Sequence, residues 1–150
     1  MNMTKALVVF ATITGNNEDV ADIITSTFEE RNVDVEMTEI TLADAADFAD
    51  VDICVVCPYT YDEGALPDEG LDFYEDLQET DLSGKVYGVA GSGDTEYGDD
   101  FCVAVDKFAE AFETAGATRG ADLVKINLSP EGDDVIQLEK MVDQLIAQVK

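Results

Sequence analysis

The first polar segment of the sequence has the residue types of an anion site. It consists of Thr12, Ile13, Thr14, Gly15, Asn16 and Asn17. The segment supplies two hydroxyls, two side-chain amides and a glycine that lets backbone N–H groups turn inward. A helix is predicted to follow. The helix dipole adds about half a positive charge, so a phosphate could bind without lysine or arginine. An ordinary turn that caps a helix would use the same residues.

Two later segments place tyrosines among small polar residues. The earlier one contains Tyr59, Thr60, Tyr61, Asp62, Glu63 and Gly64. The later one contains Gly91, Ser92, Gly93, Asp94, Thr95, Glu96 and Tyr97. A flat ring between two tyrosines would gain about 0.5–1.5 kcal/mol per stacked partner beyond its burial. Surface tyrosines would explain either segment alone, but three such segments after three strands favour a ligand site.

Strands and helices alternate around these segments. Apolar, β-branched runs predict strands at residues 5–11, 33–40, 51–57, 85–90 and 119–128. Helical spacing of apolar residues predicts helices at 20–28, 42–48, 71–77, 101–115 and 135–149. The order indicates an α/β fold, a doubly wound five-stranded parallel sheet with helices on both faces, formed by residues 1–150 as one domain. Ligands of such sheets lie beyond the carboxyl ends of the strands, where the strand order reverses.

Composition excludes several classes of function. The chain has 34 acidic and 8 basic residues and a net charge of −26, which disfavours binding to nucleic acid or to a membrane surface. It contains no histidine, so Ser-His-Asp hydrolysis and histidine-based zinc chemistry are excluded. No metal site and no catalytic acid or nucleophile is predicted, and the chemistry is assigned to a cofactor.

The cysteines and the amino terminus bear on the cellular compartment. Cys54 and Cys57 are three residues apart in a predicted buried strand, so they should point to opposite faces as reduced core thiols. The apolar run at residues 6–11, after Lys5, is too short for a signal peptide or a membrane span. We therefore expect a cytoplasmic protein.

Taken together, the three segments resemble the cofactor loops of the flavodoxins, small electron carriers that bind FMN, and the resemblance covers essentially the whole chain. The first segment is similar to the phosphate loop [ST]-x-T-G-N-T-E, with Asn17 where threonine is usual. The resemblance implies that the first segment binds the phosphate and that the other two bind the flavin ring. It also implies the strand order 2-1-3-4-5. The last strand lacks the insertion of about twenty residues found in long-chain members, so the chain resembles the short-chain class.

The implied function is that of a low-potential carrier that shuttles single electrons between redox enzymes through non-covalently bound FMN. Members often have glycine after the first stacking aromatic, where a peptide flip forms a hydrogen bond to the reduced flavin. Asp62 occupies that position here, and aspartate enters positive φ less easily than glycine. The expected partners are redox proteins with basic docking surfaces, such as a flavodoxin or ferredoxin reductase, and the chain is expected to be a monomer.

Two alternatives share this fold. A flavin-dependent reductase, or an activator of a metalloenzyme, would use the same cofactor loops, but no substrate site is evident beyond them. A phospho-receiver domain would need an acidic pair after the first strand and an aspartate at the end of the third. Those positions hold Thr12-Ile13 and Cys57.

Overall fold

The computed structural model describes residues 4–10, 16–40, 42–58, 68–93, 103–121, 123–127 and 131–149. Its strands are β1 (Lys5–Phe10), β2 (Asp34–Glu39), β3 (Ile53–Cys57), β4 (Val86–Gly93), β5 (Thr118–Arg119) and β6 (Val124–Asn127). All strand pairs are parallel and follow the order β2-β1-β3-β4-β5, while β6 pairs with β4 beyond β5. The strand order expected from the sequence is confirmed.

The described residues form four α-helices and one 3₁₀ helix. They are α1 (Asn16–Glu30), the 3₁₀ helix (Ala45–Asp50), α2 (Asp68–Glu79), α3 (Val103–Thr114) and α4 (Gly132–Val149). The 3₁₀ helix begins at a capping box, in which the Asp44 side chain accepts a hydrogen bond from Ala46 N–H and the Asp47 side chain accepts one from Asp44 N–H. This cap places the 3₁₀ helix three residues later than the predicted start at residue 42.

The sheet separates two hydrophobic cores. Leu7, Cys54 and Val56 pack with the 3₁₀ helix, α2 and α3, and we call this side the α2/α3 face. Side chains of the intervening residues, such as Val8 and Val55, pack with α1 and α4 on the α1/α4 face. Because side chains alternate along a strand, central strands that are apolar at every position need helices on both sides. The prediction of helices on both faces is confirmed.

An aromatic cluster fills the α2/α3 face. The ring of Phe48, on the 3₁₀ helix, lies 5.9 Å from Phe73 and 5.5 Å from Phe112. Tyr87 of β4 stacks on Phe112 at 4.8 Å between ring centroids, and Arg119 Nε donates a 3.4 Å hydrogen bond to the Tyr87 hydroxyl. Burial raises the pKa of this phenol. The cluster ties the 3₁₀ helix, α2, α3 and β4 together.

The prediction of one continuous last strand over 119–128 is wrong. The strand is divided into β5 and β6, and Gly120 lies at the break. A Cβ atom on Gly120 would meet Cγ1 of Val86 and would lie 2.8 Å from Cδ2 of Leu145. The chain therefore passes too close to β4 and α4 at this point for any residue larger than glycine.

The two cysteines of β3 lie on opposite faces, as the sequence predicts. Cys54 is buried on the α2/α3 face and Cys57 on the α1/α4 face, and neither forms a disulfide bond among the described residues. Burial raises the pKa of Cys54 to about 12 and raises that of Cys57 as well. Cys102 lies outside the described residues.

None of the described helices is long and apolar enough to cross a membrane.

Candidate functional site

The carboxyl ends of β1 and β3 lie side by side at the point where the strand order reverses. Phe10 and Cys57, the last residues of the two strands, are partners in the register. From β1 the chain leads through α1 to β2 on one side, whereas β3 lies on the other side of β1. Crevices at such reversal points are the usual ligand sites of open α/β sheets.

The first helix begins close to this point. Only residues 11–15 separate the end of β1 from Asn16, the first residue of α1. The N–H groups of the first helical turn, which have no acceptor within the helix, therefore lie near the carboxyl edge of the sheet. Such a helix start suits an anion, because the N–H groups and the helix dipole both favour negative charge.

The fourth strand extends beyond its neighbour and forms a step at this edge. Val56 pairs with Val89. β3 ends one residue further on, at Cys57, whereas β4 continues to Gly93. The extension is about 10 Å at the usual rise per residue. It pairs with β6 from Ala90 to Gly93. Gly91, Ser92 and Gly93, which the sequence places in a loop, are thus strand residues, and this prediction is corrected.

Gly91 allows β4 to approach the end of β3 closely. A Cβ atom there would meet the carbonyl oxygen of Pro58 and would lie 3.0 Å from Cγ2 of Val105. Pro58 is buried, and it directly precedes the segment that holds Tyr59 and Tyr61. Gly91 therefore fixes where that segment leaves the sheet.

Five of the predicted site residues lie in the described part of the chain. Asn16 and Asn17 are the first residues of α1, and Gly91, Ser92 and Gly93 are in β4, so all five lie at the carboxyl edge. The remaining predicted site residues lie outside the described residues: Thr12, Ile13, Thr14, Gly15, Tyr59, Thr60, Tyr61, Asp62, Gly64, Asp94 and Tyr97. Their chain neighbours Phe10, Pro58 and Gly93 mark where the three segments leave the sheet.

An ion pair beside the end of β4 was not predicted. Lys125 of β6 is the register partner of Gly91, and its Nζ lies 2.7 Å from Oδ2 of Asp106 in the first turn of α3. Both side chains are partly exposed, so the pair adds little stability. Asp106 does compensate the positive charge of Lys125 beside the carboxyl edge. Residues nineteen apart carry no spacing signal, so the sequence could not identify this contact.

Comparison with known proteins agrees with the fold. The flavodoxin family profile matches residues 8–140. Probable flavodoxin 2 of Bacillus subtilis is 41% identical over 137 residues, which cover 91% of this chain and 90% of that protein. The flavodoxin of Maridesulfovibrio salexigens is 34% identical over 89% of this chain and 93% of its own length.

Solved structures give the same result. A short-chain flavodoxin associated with a non-canonical PDU bacterial microcompartment is 55% identical, with a TM-score of 0.97 over 99% of this chain and all of that chain. The flavodoxin of Streptococcus pneumoniae TIGR4 is 48% identical, with a TM-score of 0.94 over 97% of this chain and 100% of that chain. The chain therefore belongs to the flavodoxin family of electron-transfer proteins.

Proposed function

We propose that this flavodoxin carries single electrons between redox enzymes through one non-covalently bound FMN at the carboxyl edge of β1, β3 and β4. The observation that carries the proposal is the pairing of Phe10 with Cys57 at the strand-order reversal, with α1 beginning at Asn16 directly beside it. The FMN supplies the redox chemistry when bound. The protein binds and orients it, and we assign no residue a role as acid, base or nucleophile.

The phosphate of FMN would be held by residues 12–17. Support comes from the short connection between β1 and α1, which leaves only residues 11–15 to turn around an anion at a helix start. Thr12 and Thr14 would contribute hydroxyls, and Gly15 and Ile13 would contribute backbone N–H groups. Asn16 and Asn17 are suited to contribute side-chain amides as well.

The flavin ring would lie between the other two segments. Residues Tyr59, Thr60, Tyr61, Asp62 and Gly64 would form one side. Residues Gly91, Ser92, Gly93, Asp94 and Tyr97 would form the other. The close approach of Gly91 to Pro58 supports this arrangement, because it brings the starts of both segments together.

Other properties follow from the same proposal. Residues 1–150 would act as one monomeric domain in the cytoplasm, without binding nucleic acid or membranes. Acidic residues in the two ring segments would disfavour additional negative charge on the flavin and so keep its potential low. Lys125 would offset them only weakly, because it pairs with Asp106.

The proposal is tested by titrating the FMN-free protein with FMN and with riboflavin, which lacks the phosphate. We expect a yellow protein that binds one FMN per chain and binds riboflavin at least about tenfold more weakly, because charge-assisted hydrogen bonds to the phosphate are lost. Flavin fluorescence reports binding. Equal affinities would contradict the phosphate site, and unchanged fluorescence with both flavins would contradict the function itself.

Thr14→Ala and Tyr97→Ala separate phosphate contacts from ring contacts. Thr14→Ala should weaken FMN by about 1 kcal/mol and leave riboflavin unchanged, because one hydrogen bond to the phosphate is lost. Tyr97→Ala should weaken both flavins by about 1 kcal/mol through lost stacking. The same fluorescence titration measures all four affinities. Tyr97 would not be a ring contact if both affinities stayed at their wild-type values.

The expected partners have basic docking surfaces, because the sequence is rich in acidic residues at the start of α2 and in the segment before it. These are Asp62, Glu63, Asp68, Glu69 and Asp72. Electron transfer from a basic flavodoxin reductase should slow as salt rises from low to moderate ionic strength, because salt screens electrostatic steering. Stopped-flow absorbance measures the rate. A rate independent of salt would show that these acids do not steer the partner.

A further inference from the structure

A trough opens on the α2/α3 face between β2 and the 3₁₀ helix, away from the carboxyl edge. Its volume is about 350 Å³. Asp34, Glu36 and Thr38 of β2 lie on this face, because their register partners Lys5, Leu7 and Val9 do. Asp47 and Asp50 of the 3₁₀ helix line the opposite wall. No described helix covers this part of the sheet, and Asp34 and Glu36 are exposed above the trough.

Four carboxylates and one cation are among the described residues that line the trough. Lys5 is the one cation among the residues that line it. None of Asp34, Glu36, Asp47 and Asp50 takes part in the ion pairs found among the described residues. The described acidic residues also form no group close enough to hold a metal ion. The trough therefore suits several positive charges spread along its length and not a single metal ion.

The outer edge of β2 offers backbone hydrogen bonds next to these carboxylates. Asp34 N–H donates to the carbonyl of Thr4 at 3.0 Å, and Ile40 N–H donates to that of Phe10 at 2.7 Å. Because donors alternate along a strand, the N–H groups of Val35 and Met37 point away from β1. β2 is the last strand on this side of the sheet, and no described strand pairs with its outer edge.

We propose that an extended basic segment of a partner protein adds to the outer edge of β2, with lysine or arginine at alternate positions. Side chains two residues apart on a strand lie about 7 Å apart on one face, which is the spacing of Asp34 and Glu36 along β2. Basic side chains at that spacing would lie beside Asp34 and Glu36, at the β2 rim of the trough, while the backbone bonds to Val35 and Met37. This is strand addition, in which the main chain gives affinity and alternate side chains give specificity.

A second copy of this chain does not fit the same edge. An antiparallel pairing of two β2 strands centred on Val35 would place Asp34 of each copy opposite Glu36 of the other, and like charges opposite each other destabilise strand pairing. Each chain also has a net charge of −26.

A partner segment on the outer edge of β2 leaves the proposed flavin site accessible, because Asp34 pairs with Lys5, about 16 Å from Phe10 along β1. A partner could therefore remain attached here during electron transfer.

The test uses the full chain as purified, labelled with ¹⁵N, and two isomeric peptides at low ionic strength. The peptide TKVKTKV carries lysines at alternate positions, and KKKTVTV carries the same residues with the lysines together. We expect the alternating peptide to bind at least about threefold more tightly. The amide shifts should centre on Val35 and Met37, and hydrogen exchange of these two amides should slow.

Two charge-matched variants complete the experiment. Asp34→Asn/Glu36→Gln should weaken the alternating peptide at least about fivefold, because two ion pairs are lost. Glu75→Gln/Glu79→Gln removes two exposed acids from α2 and should change the affinity less than about twofold. Equal weakening by both variants, equal affinity for the two peptides, or shifts spread over other acidic surfaces would show that the acids of β2 only protect the edge from pairing.

Discussion

Gly91→Ala is expected to lower the free energy of unfolding by about 1–3 kcal/mol and to weaken FMN binding at least about tenfold. The added methyl group would meet the Pro58 carbonyl oxygen, which is backbone and cannot rotate away as a side chain would. Either β4 or Pro58 must move, and both lead into the proposed ring segments. Urea denaturation and flavin titration measure the two effects.

Gly88→Ala is the matched control for this substitution. Gly88 lies in the same strand, but a Cβ atom there would lie 2.9 Å from Cδ1 of Leu145, the end of a flexible side chain on α4. This variant should lose stability but keep its FMN affinity. If both variants lose FMN affinity equally, the effect comes from general strain in β4 and not from the contact with Pro58.

Phe48→Ala is expected to lower the free energy of unfolding by about 3–5 kcal/mol, the usual range for a buried phenylalanine. Phe48 is fully buried, and its ring contacts Phe73 and Phe112. Its removal would leave a cavity between the 3₁₀ helix, α2 and α3, which the surrounding structure could fill only in part. Urea denaturation followed by circular dichroism, at a fixed FMN concentration, measures the loss.

Leu42→Ala provides the comparison for Phe48→Ala. Leu42 is 80% exposed and lies six residues before Phe48, so its truncation should change stability by less than about 0.5 kcal/mol. A loss below about 1 kcal/mol for Phe48→Ala would mean that the aromatic cluster contributes little to stability.

Most of the fold could be predicted because its signals are local. Apolar runs identify β1 and β3, and the recurrence of apolar residues at helical spacing identifies α1 and α4. The division of the last strand could not be predicted from its own residues. It depends on how closely Gly120 approaches Val86 and Leu145, which are distant in sequence. The extension of β4 through Gly91 to Gly93 depends in the same way on its pairing with β6.

The location of the candidate site could be predicted from the sequence, but the contacts around it could not. Strand order and loop composition indicate the carboxyl edge, and β1, β3 and β4 do end there. The contact of Gly91 with Pro58 and the pairing of Lys125 with Asp106 depend on register and on the placement of α3. The trough beside β2 depends on the 3₁₀ helix, which brings Asp47 and Asp50 opposite residues of β2. None of these contacts follows from spacing along the chain.

The opposite orientations of Cys54 and Cys57 make the two thiols independent reporters of local opening. Each is buried under a different helical layer, and burial raises the pKa of both, so neither thiol is reactive near neutral pH in the closed protein. We therefore expect a thiol reagent to label Cys54 when α2, α3 or the 3₁₀ helix separates from the sheet, and Cys57 when α1 or α4 does. Peptide mapping of the labelled protein would assign a separate opening rate to each side of the sheet, without introducing any probe.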